Sequence, residues 1–386
     1  MEREEKKVEY LELIYDLIFV YVIGRNNSLL HHVTGGFVDL PTFLAYLLCT
    51  LAVIQIWNFS TYYINMFGRN RVRDHVFLFL NMYLLYYIAE GTRLHWESYQ
   101  RQYHAAWGLI LVNIGVQYLL ERRNRKCDAQ TRTVCGKMAL VLFGEAAIVF
   151  AGIPLYREAG RIAAPAAIAF GIAATFLSSD ARKVMLVDFA HLSERAMLYV
   201  VFTFGEMIVV IASYFEGDFS LNSLYFSLMC FLVVVGLFLA YEVLYDRLID
   251  REMQTNGLFY MLLHILLVFS LNNTTTALSF MENEQIDLMP KMLFLLSSFL
   301  LCHFCIFALT RYSRPKLLPA RQELLAGIPL AIVFAVLMIL LRAQMNLNIA
   351  LSVVYVFAIW WILYRYARPV KATKSGCEFG SRPEKG

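Results

Sequence analysis

Acidic side chains within otherwise apolar segments are the residues of this sequence best suited to chemistry. Glu9, Glu12 and Asp16 are spaced i, i+3 and i+7, so a helix places them on one face. Arg25 lies on the opposite face of the same run and therefore needs a different neighbour. Because an unpaired charge at the centre of a membrane costs about 2.5–3.5 kcal/mol, we expect each group to face a partner or a cavity.

Two deeper acids each follow a Phe-Gly pair, in which the glycine lets a neighbouring backbone approach closely. They are Glu145 and Glu206. Glu206 falls about 12 residues into its apolar run, which is roughly 18 Å at 1.5 Å per residue, and Glu145 lies at a similar depth. Acids at this depth serve proton relay or cation coordination, or they form structural pairs with arginines such as Arg25 and Arg195.

A polar segment with a histidine precedes one of the later apolar runs. It contains His191, Ser193, Glu194 and Arg195. One interpretation is a helix start with Ser193 as the N-cap. The other is a histidine that titrates near neutral pH beside a Glu/Arg pair. The candidate proton, ion or substrate site therefore comprises Asp16, Glu206, Glu12, Glu145, Glu9, Arg25, His191, Glu194 and Arg195.

Polar and aromatic side chains on other apolar runs are candidates for lining a cavity. They are Trp57, Asn58, Tyr62, Asn65 and His264. Trp and Tyr also anchor helices at membrane interfaces, and a lone histidine on an apolar helix is usually satisfied by packing. Cys302 and Cys305 flank His303, but a zinc site needs about four ligands and no second cluster is present. We predict no metal, no cofactor and no catalytic residue.

Composition indicates which elements must position these groups. Of the 386 residues, 59% are hydrophobic and 17% are charged, against about 25% charged in a soluble domain. The mean hydropathy of +0.55 excludes a soluble globular enzyme and a disordered chain. We predict an all-α polytopic membrane protein of about 12 transmembrane helices, since each span uses roughly 20 residues. The apolar runs are 8–33, 40–66, 75–94, 103–121, 134–155, 161–179, 194–214, 221–247, 257–280, 290–311, 325–342 and 347–366.

The basic residues predict the orientation of these spans. If the N-terminus is cytosolic, about 27 of the 34 Lys and Arg residues fall in cytosolic segments, as the positive-inside rule requires. Both termini are then cytosolic, and the acidic N-terminus shows no cleavable signal peptide. The net charge of +4 is spread over many segments, so no nucleic-acid partner is expected.

The chain also matches itself weakly with a shift of roughly 180–190 residues. We predict two six-helix repeats, 1–190 and 191–368, followed by a disordered polar tail over 369–386. Six spans per half would give both halves the same orientation. Transporters built this way often bind substrate between the halves, near the middle of the membrane.

Two motifs resemble the bacterial low-temperature-requirement A (LtrA) family. The segment 8–20, Val-Glu-Tyr-Leu-Glu-Leu-Ile-Tyr-Asp-Leu-Ile-Phe-Val, is similar to the family's opening pattern. His191-Leu192-Ser193-Glu194-Arg195 followed by Gly205-Glu206 resembles its His-x-x-Glu-Arg…Leu-Gly-Glu segment, although Phe204 replaces the usual Leu. The resemblance covers about 8–366. It implies a bacterial inner-membrane protein, its architecture and its important acids, and says little about a substrate.

These observations predict a secondary transporter, proton-coupled through its buried carboxylates, in which Asp16 and Glu206 are equivalent acids of the two halves. No ATPase, hydrolase or metal-site motif occurs, so an enzyme is the less expected class. Two alternatives stay open: an intramembrane enzyme acting on a lipid or isoprenoid, and an ion channel. The expected partners are membrane lipid and a small-molecule or ion substrate. The sequence leaves open the substrate, the coupling ion and whether the chain forms a homo-oligomer.

Overall fold

Helices make up nearly all of the chain, as its apolar runs predict. The computed structural model describes residues 6–31, 33–91, 96–154, 160–178, 187–212, 220–315, 317 and 324–368. These residues form twelve α-helices and a short hairpin, Val33–Thr34 paired with Phe37–Val38. The helices are α1 (Tyr10–Asn26), α2 (Leu40–Phe67), α3 (Val72–Gly91), α4 (Trp96–Arg122), α5 (Ala129–Ala151), α6 (Gly160–Leu177), α7 (Phe189–Ala212), α8 (Leu221–Glu242, continued by a π-helical turn Val243–Leu248), α9 (Leu258–Glu282), α10 (Leu288–Leu309), α11 (Gly327–Leu340) and α12 (Met345–Tyr366).

Eight of the described helices are long and apolar enough to cross a membrane. They are α2, α4, α5, α7, α8, α9, α10 and α12. The helices α6 and α11 contain shorter apolar stretches, and α1 has only 17 residues. The all-α membrane fold class is confirmed for these eight helices, while the count of about 12 spans stays a prediction.

Side-chain caps explain where several of these helices begin. Asp39 accepts a hydrogen bond from Thr42 N at 3.3 Å, and a proline occupies the first turn of α2. Asp188 accepts from His191 N at 3.1 Å and caps α7. Ser193 lies inside α7 and donates to the Ala190 carbonyl at 2.8 Å. The prediction of Ser193 as the N-cap is therefore wrong, because Asp188 already satisfies a free amide one turn earlier.

The two predicted halves use similar helix contacts. In the first, α1 packs on α2 and α3, and α3 to α6 pack in succession. In the second, α7 packs on α8 and α9, and α9 to α12 pack in succession. The predicted boundary at 190/191 falls in the first turn of α7, and the predicted tail 369–386 lies outside the described residues. Between the halves, α1 packs against α7.

One end of the helix bundle collects basic side chains, and we call it the basic end. Contacts between helix termini define it: Arg73 pairs with Glu121, joining α3 to α4, and the Tyr62 hydroxyl donates to the Asn256 carbonyl at 3.0 Å. The basic residues at this end include Arg69, Arg71, Arg73, Arg122, Arg123, Lys126, Arg247, Arg251, Arg311, Arg314, Arg365 and Arg368.

The opposite end contains a buried polar contact, which we call the amide layer: Asn27, Tyr46, Asn272 and Asn273. Asn27 Nδ2 donates to Asn272 Oδ1 at 2.8 Å, and Asn272 Nδ2 returns the bond to Asn27 Oδ1 at 2.7 Å. Asn272 also donates to the Tyr46 hydroxyl at 2.9 Å, which in turn donates to Asn273 Oδ1. The layer therefore joins the first half of the chain to α9, because buried amides must be paired.

Replacing one amide of this layer should destabilise the protein. We expect Asn272→Leu to cost about 1–3 kcal/mol of unfolding free energy, because Asn27 is left buried without its partner. Thermal unfolding of the purified protein in detergent measures the effect. Ser279→Ala on the same helix is the control, since among the described residues the Ser279 hydroxyl donates to the Thr276 carbonyl of its own helix. The double variant with Asn27→Leu should recover part of the loss; equal stability of Asn272→Leu and wild type would contradict the prediction.

Candidate functional site

Four ionisable side chains meet between α1 and α7 near the basic end, and we call them the ion cluster: Glu12, Asp16, His191 and Arg195. Asp16 and Arg195 are both 0% exposed. Arg195 donates to Asp16 through two nitrogens, Nη2 to Oδ1 and Nε to Oδ2 at 3.3 Å. Arg195 Nε also lies 3.4 Å from Glu12 Oε2. One guanidinium thus compensates two carboxylates, a geometry that its planar fork permits.

Two side chains of α2 complete the surroundings of the ion cluster. Trp57 Nε1 donates to Asp16 Oδ1 at 2.8 Å. Asn65 spans the start of α7: its Nδ2 donates to the Asp188 carbonyl at 2.8 Å, and its Oδ1 accepts from Asp188 N at 3.0 Å. Asn65 Nδ2 also lies 3.0 Å from His191 Nδ1. Both of these α2 residues are predicted cavity-lining residues, and the structure brings them to the ion cluster.

The orientation of Asn65 determines which nitrogen of His191 carries a proton. The backbone of Asp188 needs both a donor and an acceptor from Asn65, so the amide nitrogen must face His191 Nδ1. Nδ1 is then the acceptor, and the neutral ring carries its proton on Nε2. That nitrogen lies 3.2 Å from Glu12 Oε2. If the ring gained a second proton, at Nδ1, two hydrogen-bond donors would face each other, Nδ1 and the Asn65 amide nitrogen. That contact would then break.

A cleft of about 380 Å³ leads from the basic end to Glu12. Its polar lining residues are Lys6, Lys7, Glu9, Glu12, Arg69, Asn70, Asp74 and Gln117. Glu9 Oε2 accepts from Asn70 Nδ2 at 3.1 Å, and Lys6 Nζ donates to the Ile64 carbonyl. Burial lowers the pKa of Lys6, although the nearby Glu12 opposes this shift. Glu12 is therefore the member of the ion cluster that faces an open volume.

Glu206 and Arg25 lie at a second level of the same helix contact. Glu206 packs against α1, where a Cβ added to Gly24 would lie 2.5 Å from Glu206 Oε1. Arg25 Nε donates to the Tyr21 hydroxyl at 3.1 Å, which donates to Glu90 Oε1 at 2.6 Å. Gly24 is eight residues beyond Asp16, which is about 12 Å along the helix. Asp16 and Glu206 thus occupy different depths, and α1 and α7 run parallel.

The two remaining acids lie away from the ion cluster. Glu145 is completely buried between α2 and α6, where Gln55 Nε2 donates to its Oε2 at 3.4 Å. Glu194 is half-buried and interacts electrostatically with Tyr245. The structure therefore separates the predicted acids into four places: the ion cluster with its cleft, the Glu206 level, the Glu145 position and the Glu194 position beside Tyr245.

Three predicted cavity-lining residues lie elsewhere in the bundle. Asn58 lines a small cavity that also includes Gln55. Tyr62 holds the chain before α9 through the Asn256 carbonyl. His264 accepts or donates at 3.0 Å with the Tyr241 hydroxyl and lies 2.9 Å from the Tyr260 carbonyl, so both ring nitrogens have partners.

Sequence reasoning missed a buried chain of hydrogen bonds that starts at Tyr15, next to the ion cluster residue Asp16. The Tyr15 hydroxyl lies 2.7 Å from Ser60 Oγ and accepts from Asn81 Nδ2 at 3.3 Å. Asn113 Nδ2 then donates to Asn81 Oδ1 at 2.6 Å. The chain runs from α1 to α4 and begins beside Asp16. Single asparagines in apolar runs are the signal that could have found it, since a buried amide requires a partner.

The arrangement suits proton binding and ion-pair exchange. Within the described ranges, no group of three or more His, Cys, Asp or Glu side chains is placed to hold a metal ion. The ion cluster combines two carboxylates, one permanent cation and one imidazole ring. A proton gained by Glu12, Asp16 or His191 would change which groups Arg195 must compensate.

Comparison with known proteins agrees with the resemblance noted in the sequence. A family model described as "Bacterial low temperature requirement A protein (LtrA)" matches residues 7–359. The match includes the whole ion cluster, Glu145 and Glu206. No curated protein and no solved structure matches the chain.

Removing the cation of the ion cluster should be strongly destabilising. We expect Arg195→Met to cost about 3–5 kcal/mol, because Asp16 and Glu12 would remain buried without compensation. Thermal and denaturant unfolding in detergent measure the loss. The double variant Asp16→Asn with Arg195→Met should recover part of it. Arg25→Met is the matched control and should cost less than about 1 kcal/mol, since Arg25 is half-exposed; equal losses in the two arginine variants would contradict this account.

Proposed function

The chain belongs to the bacterial low temperature requirement A family, and on that premise we propose that it is a proton-coupled secondary transporter of the bacterial inner membrane. The ion cluster of Glu12, Asp16, His191 and Arg195 is the proposed coupling site. The observation that carries the proposal is that these buried, mutually compensating charges lie at the end of a cleft that reaches Glu12 from the basic end of the α1–α7 contact.

The cleft supplies the first requirement of a transporter, a path from one side of the membrane. We assign the basic end to the cytosol by the positive-inside rule, which places the mouth of the cleft and both termini there. At the other end, the amide layer joins α1 and α2 of the first half to α9 of the second by hydrogen bonds. The described conformation corresponds to a state open to the cytosol and closed to the outside.

The ion cluster supplies the second requirement, a coupling between protonation and helix contacts. A second proton on His191 would release Asn65 and loosen the contact of α2 with α7. A proton on Glu12 would remove one of the two negative charges that Arg195 compensates. Arg195 could then pair with Asp16 alone or with an incoming anion. In either case a local change of charge alters the contact between the two halves. Alternating access requires the halves to move relative to each other at this contact.

The similar helix contacts of the two halves support the proposed pair of six-helix repeats. Under this arrangement α1 and α7 are the equivalent first helices, and their parallel contact lies on the axis that relates the halves. All twelve helices then cross the membrane, including the four that fall short by length or hydropathy. Substrate sites in transporters with such repeats lie at the interface of the repeats.

The alternatives have less support from the described contacts. A channel needs polar side chains that line an open path, whereas those of the amide layer hydrogen-bond to one another. An intramembrane enzyme acting on a lipid or isoprenoid would need its reactive groups open to the membrane. His191 and Arg195 are buried between α1, α2 and α7.

Proton movement in proteoliposomes tests the proposed function. A pH-sensitive dye inside the vesicles should report proton flux when a transported solute is added to the wild-type protein. We expect Asp16→Asn, His191→Gln and Glu206→Gln to reduce this flux at least about tenfold, because each removes an ionisable group from the α1–α7 contact. His264→Gln is the matched control and should keep it, since His264 lies within the α8–α9 packing. Normal pH-dependent flux in all the variants would exclude the assignment.

Cysteine labelling tests the proposed orientation. In a cysteine-free background, Lys126→Cys at the basic end should react with a membrane-impermeant maleimide only in inverted vesicles. Gln285→Cys, between α9 and α10, is the matched control and should react only in intact spheroplasts. Both positions are exposed, so labelling depends only on the side of the membrane on which each position lies. The opposite pattern would reverse the orientation.

A further inference from the structure

A second polar site lies away from the ion cluster, in a small crevice between α2, α6 and α9. Its volume is about 60 Å³. Most of its wall is apolar, and Ile172 and Phe176 at its rim are each 43% exposed. The crevice therefore opens sideways, toward the surface that faces lipid in a membrane.

Four oxygen atoms in and beside this crevice are buried and have no hydrogen-bond partner among the described residues. They are Gln55 Oε1, Asn58 Oδ1, Thr175 Oγ1 and Glu145 Oε1. Gln55, Asn58 and Thr175 line the cavity directly. Glu145 reaches it through Gly171, because a Cβ at Gly171 would lie 1.9 Å from Glu145 Oε2 and 2.2 Å from Gln55 Nε2. The absence of a side chain at Gly171 thus makes room for the carboxylate.

The charge of Glu145 has no compensating cation in the described part of the chain. Among the described residues, its polar contact is the donor Gln55 Nε2, at 3.4 Å, which also reaches the Ile168 carbonyl at 3.4 Å. A buried carboxylate without a counter-charge is costly, and so is each buried oxygen without a donor. Three of the four oxygens can only accept, so the group that satisfies them must donate several hydrogen bonds.

We propose that this crevice binds the ammonium head of a lipophilic primary amine, with the carboxylate of Glu145 as its counter-ion. An ammonium group supplies three donors and the missing positive charge. The volume of the crevice suits a small head group. Its apolar wall and its rim at Ile172 and Phe176 suit an alkyl chain that continues into lipid. The proposed site is independent of the ion cluster and does not require the transport function.

Thermal unfolding with a defined probe tests the proposal. A ligand that binds only the folded protein raises its Tm. In maltoside micelles, n-octylammonium should raise the Tm of the wild-type protein, whereas n-octanol, which has the same chain and a neutral head, should not. The apparent affinity for n-octylammonium should fall by about tenfold or more in Glu145→Gln, which keeps the shape of the side chain and removes its charge.

Two further variants make the outcome decisive. Gly171→Ala should also weaken the effect of n-octylammonium, because the new methyl group displaces the carboxylate. Glu206→Gln, another acid at membrane depth, should keep the full Tm rise. The proposal is overturned if wild type shows no rise up to the solubility limit of the amine, if n-octanol is equally effective, or if Glu145→Gln responds as wild type does.

Discussion

The buried ion pair between Asp16 and Arg195 is the contact on which the rest of the described structure depends. Neither side chain is exposed, so each charge must be compensated by the other rather than by water. This requirement holds α1 and α7 in one register. About two turns further along, the same register brings Glu206 against Gly24, where a Cβ would lie 2.5 Å from Glu206 Oε1 and the carboxylate would have to move.

The helix α2 contributes side chains to both polar sites. Trp57 and Asn65 contact the ion cluster near the basic end, whereas Gln55 and Asn58 line the lateral crevice. The two sites thus share one helix, although no charge of one contacts a charge of the other among the described residues.

Hydropathy predicted helix positions well where a helix is apolar throughout and less well where polar groups are buried. The run 40–66 corresponds to α2 at Leu40–Phe67. The run 194–214, however, begins five residues later than the helix α7 itself, which starts at Phe189. The missed turn contains His191 and Ser193, and His191 is buried against Glu12 of α1 and Asn65 of α2. The first run, 8–33, ends as a helix at Asn26, where a 3₁₀ turn and the hairpin follow.

The sequence by itself determined the class of protein, the apolar helices and the identity of the unusual acids, because each of these follows from local composition. The partner of each acid was decided only by the tertiary structure. Asp16 is 179 residues away from Arg195 along the chain, and no periodicity within one helix indicates which distant helix will pack against it. Helix packing therefore decided that Asp16 is compensated by an arginine and that, among the described residues, Glu145 has an amide as its hydrogen-bond partner.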